Sequence, residues 1–342
     1  MATRGDPPDD TPMASPLIGV GIPVWRASGF IARTLQSVLD QTHAHLRVFI
    51  SIDGADRESE RACRPFASDP RVRVVVQPRR LGWVGNTAAV LAGASADAEF
   101  VCVQPHDDWI DADYLAALLD VAEHEPRAAV VFTDLAAFGA INGCLSQDSV
   151  IGRPIERQAT ILRAHFNAIA YRGLTRTAAL RALPSISGNP HGDFGCDTVW
   201  MARLARAGDL VRVPGARYHK WYGADTAHAT WRGWSLPEQL AAWRWHCLDM
   251  LAEALTVARG ARERRRLARA ARDRLLLTHV ELGPYARQIG KLAPGDRRAL
   301  EADFEALAAA RPGIGPIRLS PGDVVRRTAG RVLGRWPRPR RA

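Results

Sequence analysis

Short apolar runs alternate with helix-period segments from Leu17 onward, and this alternation constrains the fold more than any other feature of the chain. The runs Leu17–Val24, Leu46–Ile52, Val72–Gln77, Glu99–Gln104 and Ala128–Leu135 have the length of strands. Ser28–Gln41, Arg57–Ala67, Val84–Gly93 and Asp113–Glu123 lie between them with helical spacing. In the first of these helices Ser28 is the expected N-cap, and Ile31, Leu35, Val38 and Leu39 share one face. Strands alternating with helices predict an α/β fold, a mainly parallel sheet with helices on both faces. In such sheets ligands bind beyond the carboxyl ends of the strands, which is where chemistry is expected.

Past about Ser235 the strand signal stops. Leu240, Trp243, Cys247, Met250, Leu251 and Leu255 keep helical spacing, and a further helix is expected over Asp296–Ala310. Cys196–Gly208 reads as a helix that ends at its glycine. Ile141–Arg172 has weak periodicity and is expected to be mobile or to face substrate. The organisation predicted is a disordered lead over 1–15, an α/β domain over 16–234, a helical extension over 235–320 and a basic, disordered tail over 321–342.

Charge follows the same division. Residues 1–258 hold 25 Lys and Arg against 28 Asp and Glu, a net of −3, whereas residues 259–342 hold 21 against 8, a net of +13. The C-terminal quarter therefore carries the basic character, either as a solvated Arg-rich helix face or as a surface for an anionic partner. Peripheral attachment to an anionic membrane through the basic C-terminus is expected, with Trp336, Val332 and Leu333 beside the arginines. Specific nucleic-acid binding is not, because Trp336 is the tail's one aromatic residue. No run of 18 apolar residues occurs, the N-terminus has no secretory pattern, and the five cysteines form no C-x-x-C pair. A reducing cytoplasm is the expected setting.

Three strand ends collect the polar residues. They are Pro23-Val24-Trp25, Asp53-Gly54-Ala55-Asp56, and Pro105-His106-Asp107-Asp108-Trp109. Parallel strands would open all three on one edge. Asp53 there suits a base or ribose, while Asp107 and Asp108 suit a divalent cation, since hard ions take oxygen ligands and Mg²⁺ often binds one or two carboxylates plus substrate phosphates. Read in isolation, the two acids before a helix would only complement its N-terminal charge. Gly19-Val20-Gly21 is not a dinucleotide fingerprint, because the glycines lie inside the strand and Val24 stands where a third glycine is needed.

The order LIGVGIPVW, IARTLQSVLDQT, VFISIDGADRES, RRLGWVGNTAAV, HDDWIDADYL resembles the family 2 inverting glycosyltransferases of the GT-A fold. The likeness runs from about Leu17 to Trp234 and includes GDFGCDTVWMARLARAGDLVRVPGARYHK. It implies a GT-A-type sheet with a C-terminal α-helical extension, a nucleotide-sugar donor, a divalent ion (Mn²⁺ or Mg²⁺) and a glycan or lipid-linked acceptor in cell-envelope or exopolysaccharide synthesis. By this resemblance Asp197 is the general base, with Asp193 as runner-up. Pro23, Trp25, Asp53, Gly82, Asn86, His106 and Lys220 are expected at the donor, and Asp107, Asp108 and His219 at the metal, with His228 an alternative ligand. Trp221, Trp231 and Trp234 are candidates for sugar stacking or core packing. The first turn of the Cys196–Gly208 helix is expected to keep Asp197 ionised. Two departures stand out: Pro105 replaces the first acid of the family's Asp-x-Asp-Asp, and Cys196 precedes Asp197 where Glu is common. The alternatives are a nucleotide-sugar binder that no longer catalyses, and a metal-dependent nucleotidyltransferase; the latter wants a Gly-rich phosphate loop where Pro23-Val24-Trp25-Arg26 stands.

Overall fold

A computed structural model describes residues 15–163, 168–223, 230–231, 233–276 and 292–317. Its strands are β1 (Ile18–Val24), β2 (Leu46–Ile52), β3 (Val72–Val76), β4 (Phe100–Val103), β5 (Trp109–Ile110), β6 (Ala128–Gly139), β7 (Gly143–Leu145), β8 (Leu174–Arg176) and β9 (Asp209–Tyr222). Its helices are α1 (Ile31–Leu39), α2 (Arg57–Cys63), α3 (Gly82–Ala94), α4 (Tyr114–His124), α5 (Pro154–Arg163), α6 (Thr177–Arg181), α7 (Cys196–Ala207), α8 (Leu236–Leu255), α9 (Ala261–Leu275) and α10 (Pro294–Ala310).

Among the described residues the strands form one sheet in the order β3-β2-β1-β4-β8-β6-β9-β5, with β7 on β6. The half built from β3, β2, β1 and β4 is parallel, as the alternating pattern predicts. The other half is mixed. Strand β8 enters antiparallel between β4 and β6, β9 runs parallel to β6, and β5 pairs antiparallel with β9. Strand β6 is longer than its apolar run suggests and shares a bulged register with β9 near Asp134. The Asp134 carboxylate holds that irregularity, accepting from Arg212 Nε at 2.7 Å, Arg212 Nη2 at 2.8 Å and Gly215 N at 3.1 Å.

The two glycines of β1 have a packing role. A Cβ on Gly19 would lie 1.9 Å from the Ala94 carbonyl oxygen, and one on Gly21 would lie 2.9 Å from Val90 Cβ. Bare backbone at both points lets α3 seat directly on β1. Val20, Ile22 and Val24 point to the opposite face and are equally buried, so the strand is covered on both sides.

Two expectations change. Ser28 does not cap α1; the N-cap is Phe30, with no side-chain cap, and α1 starts where Ile31 reaches the core. Ile141–Arg172 is not without regular structure: it supplies β7, α5 and a 3₁₀ turn over Ile169–Arg172, and Ile155, Ile161, Leu162, Ile169 and Ala170 are buried. Its pattern is hard to read because polar groups share its interior. Arg157 is buried against Asp209 at 3.1 Å and donates from Nε to the Ala205 carbonyl at 2.7 Å. The expected C-terminal helical extension is present and packs on the rest of the fold. Trp243 Nε1 on α8 donates to Leu275 O on α9 at 3.1 Å, Arg274 reaches Ile161 O on α5 at 3.1 Å, and a single apolar core runs from β1 to Ile314. Helix α8 opens on a capping box between Ser235 and Glu238. The lead over 1–14 and residues 318–342 lie outside the described residues.

Candidate active site

Parallel pairing brings the ends of β1, β2 and β4 to one edge. There His106 Nδ1 lies 3.0 Å from the Pro23 carbonyl, tying the β4 loop to the β1 end. Thr34 Oγ1 on α1 donates to the carbonyls of His106 and Asp108 at 2.7 and 2.8 Å, so the acidic loop is held by its backbone. Trp25 is half-buried beneath the Arg80 guanidinium, 3.7 Å from the ring centroid.

Asp53 is buried, and its oxygens accept from Leu81 N at 2.5 Å and Gly82 N at 3.1 Å, which satisfies the first N–H groups of α3. Gly82 takes a positive φ of 74° at that junction. Asn86 Nδ2 donates to Ser51 O at 2.9 Å, while its buried Oδ1 has no protein partner among the described residues. These three residues fasten α3 to β2 at this edge.

The two acids of the β4 loop have separate fates. Asp107 is half-buried, with no protein hydrogen bond among the described residues. Asp108 is buried and fully engaged: Oδ2 accepts from Arg172 Nε at 3.1 Å and Tyr218 OH at 2.9 Å, and Oδ1 from Trp221 N at 2.8 Å. Burial raises its pKa, against the pull of Arg172. It joins the loop to β9 rather than presenting an open carboxylate.

Asp197 sits half-buried in the first turn of α7, its Oδ1 accepting from Thr198 N at 2.8 Å. Burial raises its pKa, and the Thr198 N–H, Arg172 and Lys220 only partly oppose that. Desolvation outweighs the Thr198 N–H and the two cations in setting that direction. Lys220, whose Nζ lies 4.4 Å from the Tyr222 ring centroid, also acts on Asp108. Arg172 and Lys220 thus connect two carboxylates that are far apart in sequence.

His219 faces elsewhere, and Asp193 is engaged in a turn. His219 neighbours Lys220 on β9, and successive strand residues point to opposite faces. Its ring stacks on Trp109 with centroids 5.0 Å apart, and Nε2 lies 2.7 Å from Asp111 Oδ1. Asp193 has a positive φ of 58° and accepts from Asn189 N at 3.0 Å, which stabilises the turn before α7. Trp231 packs edge-on against Phe194 at 5.1 Å within the core, Trp221 and Trp234 are half-buried, and His228 lies outside the described residues.

The metal set assumed from sequence is thus redistributed. Asp107 alone of its three members keeps an open carboxylate, and the described residues contain no group of three or more His, Cys, Asp or Glu able to hold an ion. The residues fit an ion that arrives with phosphate oxygens and takes one carboxylate, not a cage made by the protein. Sequence reasoning missed Arg172, Tyr171, whose hydroxyl lies 3.1 Å from Thr87 Oγ1, and Tyr218. Tyr171 and Arg172 fall in the segment read as mobile, and nothing in their spacing marks them. No helix among the described residues is long and apolar enough to cross a membrane.

Residues 19–181 match the family model described as Glycosyl transferase family 2. Over 120 residues, 34% of this chain, the sequence is 30% identical to chondroitin synthase of Escherichia coli, covering 17% of that protein. The matched stretch spans only 12% to 32% of the length of such curated relatives. In fold the chain is similar to S. aureus TarS 1-349 in complex with UDP, with a TM-score of 0.60 and 13% identity over 84% of this chain and 80% of that one. It is also similar to the mannosyltransferase PcManGT of Pyrobaculum calidifontis in complex with GDP-Man and Mn²⁺, with a TM-score of 0.51 and 18% identity over 88% and 83% of the two chains. Residues 19–181 thus carry a glycosyl transferase family 2 domain, and the sheet that holds it is of the GT-A type.

Proposed function

We propose that the chain transfers a sugar from a nucleotide-diphosphate sugar to an acceptor hydroxyl with inversion, in the synthesis of a cell-envelope or extracellular polysaccharide. The observation that carries this reading is the placement of Asp197 in the first turn of α7, its Oδ1 held by Thr198 N at 2.8 Å, together with the Asp107–Asp108 loop at the shared edge of β1, β2 and β4; burial raises the Asp197 pKa. A raised pKa makes Asp197 a better proton acceptor than an exposed carboxylate. It takes the proton of the acceptor hydroxyl as the oxygen attacks the anomeric carbon from the side opposite the leaving group. The bond from that carbon to the phosphate oxygen breaks, and its electron pair leaves with the nucleoside diphosphate. Attack is direct, so no enzyme nucleophile is required; positioning and electrostatics supply the rate.

Asp107 would hold a divalent ion together with the donor's phosphates, and the ion would add positive charge to the leaving group. The PcManGT complex with GDP-Man and Mn²⁺, and the TarS complex with UDP, support a nucleotide-sugar donor on this fold. Residues 16–234 carry the chemistry in this reading, and 235–320 brace it. Attachment of the basic 321–342 tail to the inner face of an anionic membrane belongs to the same proposal; deleting Arg326–Ala342 without effect on liposome binding would remove it.

One observation favours a second reading. Pro105 occupies the place of the first acid, which a binder without turnover would tolerate. Calorimetry with UDP, GDP, dTDP and CMP, with and without Mn²⁺, separates the readings when run on wild type and Asp107→Ala. One nucleotide bound more tightly with Mn²⁺, and that gain lost in the variant, is the expected result. Binding of a nucleotide-sugar without any turnover across an acceptor panel would favour the binder, and no binding at all would end both.

A further inference from the structure

Arg172 is placed with more care than a counter-ion for Asp108 needs. Its 3₁₀ turn is buried throughout, and its carbonyl accepts from Tyr114 OH at 2.8 Å and Cys102 Sγ at 3.2 Å. The preceding Tyr171 is held by Thr87 on α3. The guanidinium lies 5.7 Å from the Tyr171 ring and 5.8 Å from the Tyr218 ring, so its backbone and its side chain are both fixed.

Its hydrogen bonding is nevertheless incomplete. A guanidinium has five N–H donors. Among the described residues only Nε has a protein acceptor, Asp108 Oδ2 at 3.1 Å, and the side chain keeps 10% of its surface open. A largely desolvated cation with unfilled donors is costly unless an anion completes it. Asp197 feels this charge without being hydrogen-bonded to it, and Lys220 supplies a second cation to the same pair of acids. A fixed fork plus a point charge suits a group with several anionic oxygens.

We propose that the terminal nitrogens of Arg172, assisted by Lys220, bind the diphosphate of the donor and hold it as it becomes the leaving group. This rests on the donor reading above. Arg172 contributes its grip whether or not a divalent ion is present, because it is held by protein contacts alone. The acceptor's neutral hydroxyl has no use for two cations, which leaves the donor phosphates as the matching group.

The test is calorimetry on the full chain with the nucleoside diphosphate selected by the panel, and with the matching nucleoside, in EDTA and in Mn²⁺. Arg172→Lys keeps the charge facing Asp108 but loses the fork. It is expected to weaken diphosphate binding about tenfold or more in both buffers, while nucleoside binding and the melting temperature hold. Lys220→Met, at a half-buried site, is expected to weaken the diphosphate severalfold and spare the nucleoside. A folded Arg172→Lys protein that binds both ligands like wild type would overturn the proposal. Should that variant fail to fold, Lys220→Met decides: selective loss of diphosphate binding supports it, and unchanged binding overturns it. If wild type binds neither ligand, the donor reading itself has failed and Arg172 is left without its anion.

Discussion

At the scale of single residues, the site is a contest between desolvation and charge. Asp197 has a pKa raised above its ordinary 3.8 by burial. Its charged form is the one that accepts a proton, so activity should fall as pH drops through that raised value, at a higher pH than for an exposed Asp. The stability sign is opposite. A carboxyl with a folded pKa above its unfolded one stabilises the fold below the unfolded value, and that contribution is lost as pH rises through the folded pKa. Asp197→Asn removes the buried charge, and is expected to cut turnover by about 10²–10⁴ while leaving melting at pH 7 unchanged or higher. A pH–rate profile and a melting curve on the same preparation check both; a variant that keeps turnover would assign the base elsewhere. Asp108 predicts the reverse balance. Asp108→Ala strands the Arg172 guanidinium and frees Tyr218 OH, so a loss of about 3–5 kcal/mol in unfolding free energy is expected, measurable by denaturant titration. Asp107, with no protein hydrogen bond among the described residues, should be neutral for stability within about 0.5 kcal/mol when changed to Asn. Equal losses at the two acids would contradict the distinction drawn between them.

At the scale of elements, periodicity made some parts legible and others not. The five strands read from apolar runs are present because each is covered on a regular face, and β1, β2 and β4 carry the motifs to one edge as parallel pairing requires. The glycines of β1 were legible only as not being a dinucleotide fingerprint; their purpose is the close seat of α3, which no spacing rule reveals. Gly19→Ala should therefore be severe for so small a change. Its Cβ would meet backbone, the Ala94 carbonyl oxygen at 1.9 Å, so neither side can yield by a rotamer change. A cost of about 3 kcal/mol or more is expected, seen as a lowered melting temperature, whereas Ala at Gly29, with nothing within 4 Å, should be tolerated. The 141–172 segment was illegible for the opposite reason. Arg157, Gln158 and Arg172 are buried through hydrogen bonds to Ala205 O, Ala202 O and Asp108. A hydrophobicity pattern counts such residues as solvent-facing, so the part of the site that depends on Arg172 was hidden along with them.

At the scale of the whole molecule, the helices after residue 234 are part of the fold. Helix α8 contacts both α5 and α7, and α9 contacts α5, placing the extension behind the very helix whose first turn holds Asp197. His246 on α8 is buried, with its Nε2 2.9 Å from Arg274 Nη2 and its Nδ1 at the spot where a Cβ on Gly195 would fall, 2.6 Å away. Burial, then Arg274, lowers the His246 pKa well below its usual value, so the ring stays neutral and packs as an apolar wall beneath the N-cap of α7. The extension therefore reaches the site through the turn over 189–195. Nearby, Arg203 on α7 is paired with Glu253 on α8, with Nη2 2.5 Å from Oε1, and Arg206 reaches the other oxygen at 2.9 Å. Removing α8–α10 would expose the apolar faces of α5 and α7 and leave those arginines unpaired, two of the mechanisms by which single changes become severe. A chain ending at residue 234 is accordingly expected to be insoluble, or to lose cooperative unfolding and near-UV circular dichroism while keeping helical signal, as loosely packed states do. If it instead melts cooperatively near the full-length temperature and binds nucleotide equally well, the extension is an independent unit, and the shared core between α5, α7 and α8 contributes little to either stability or the site.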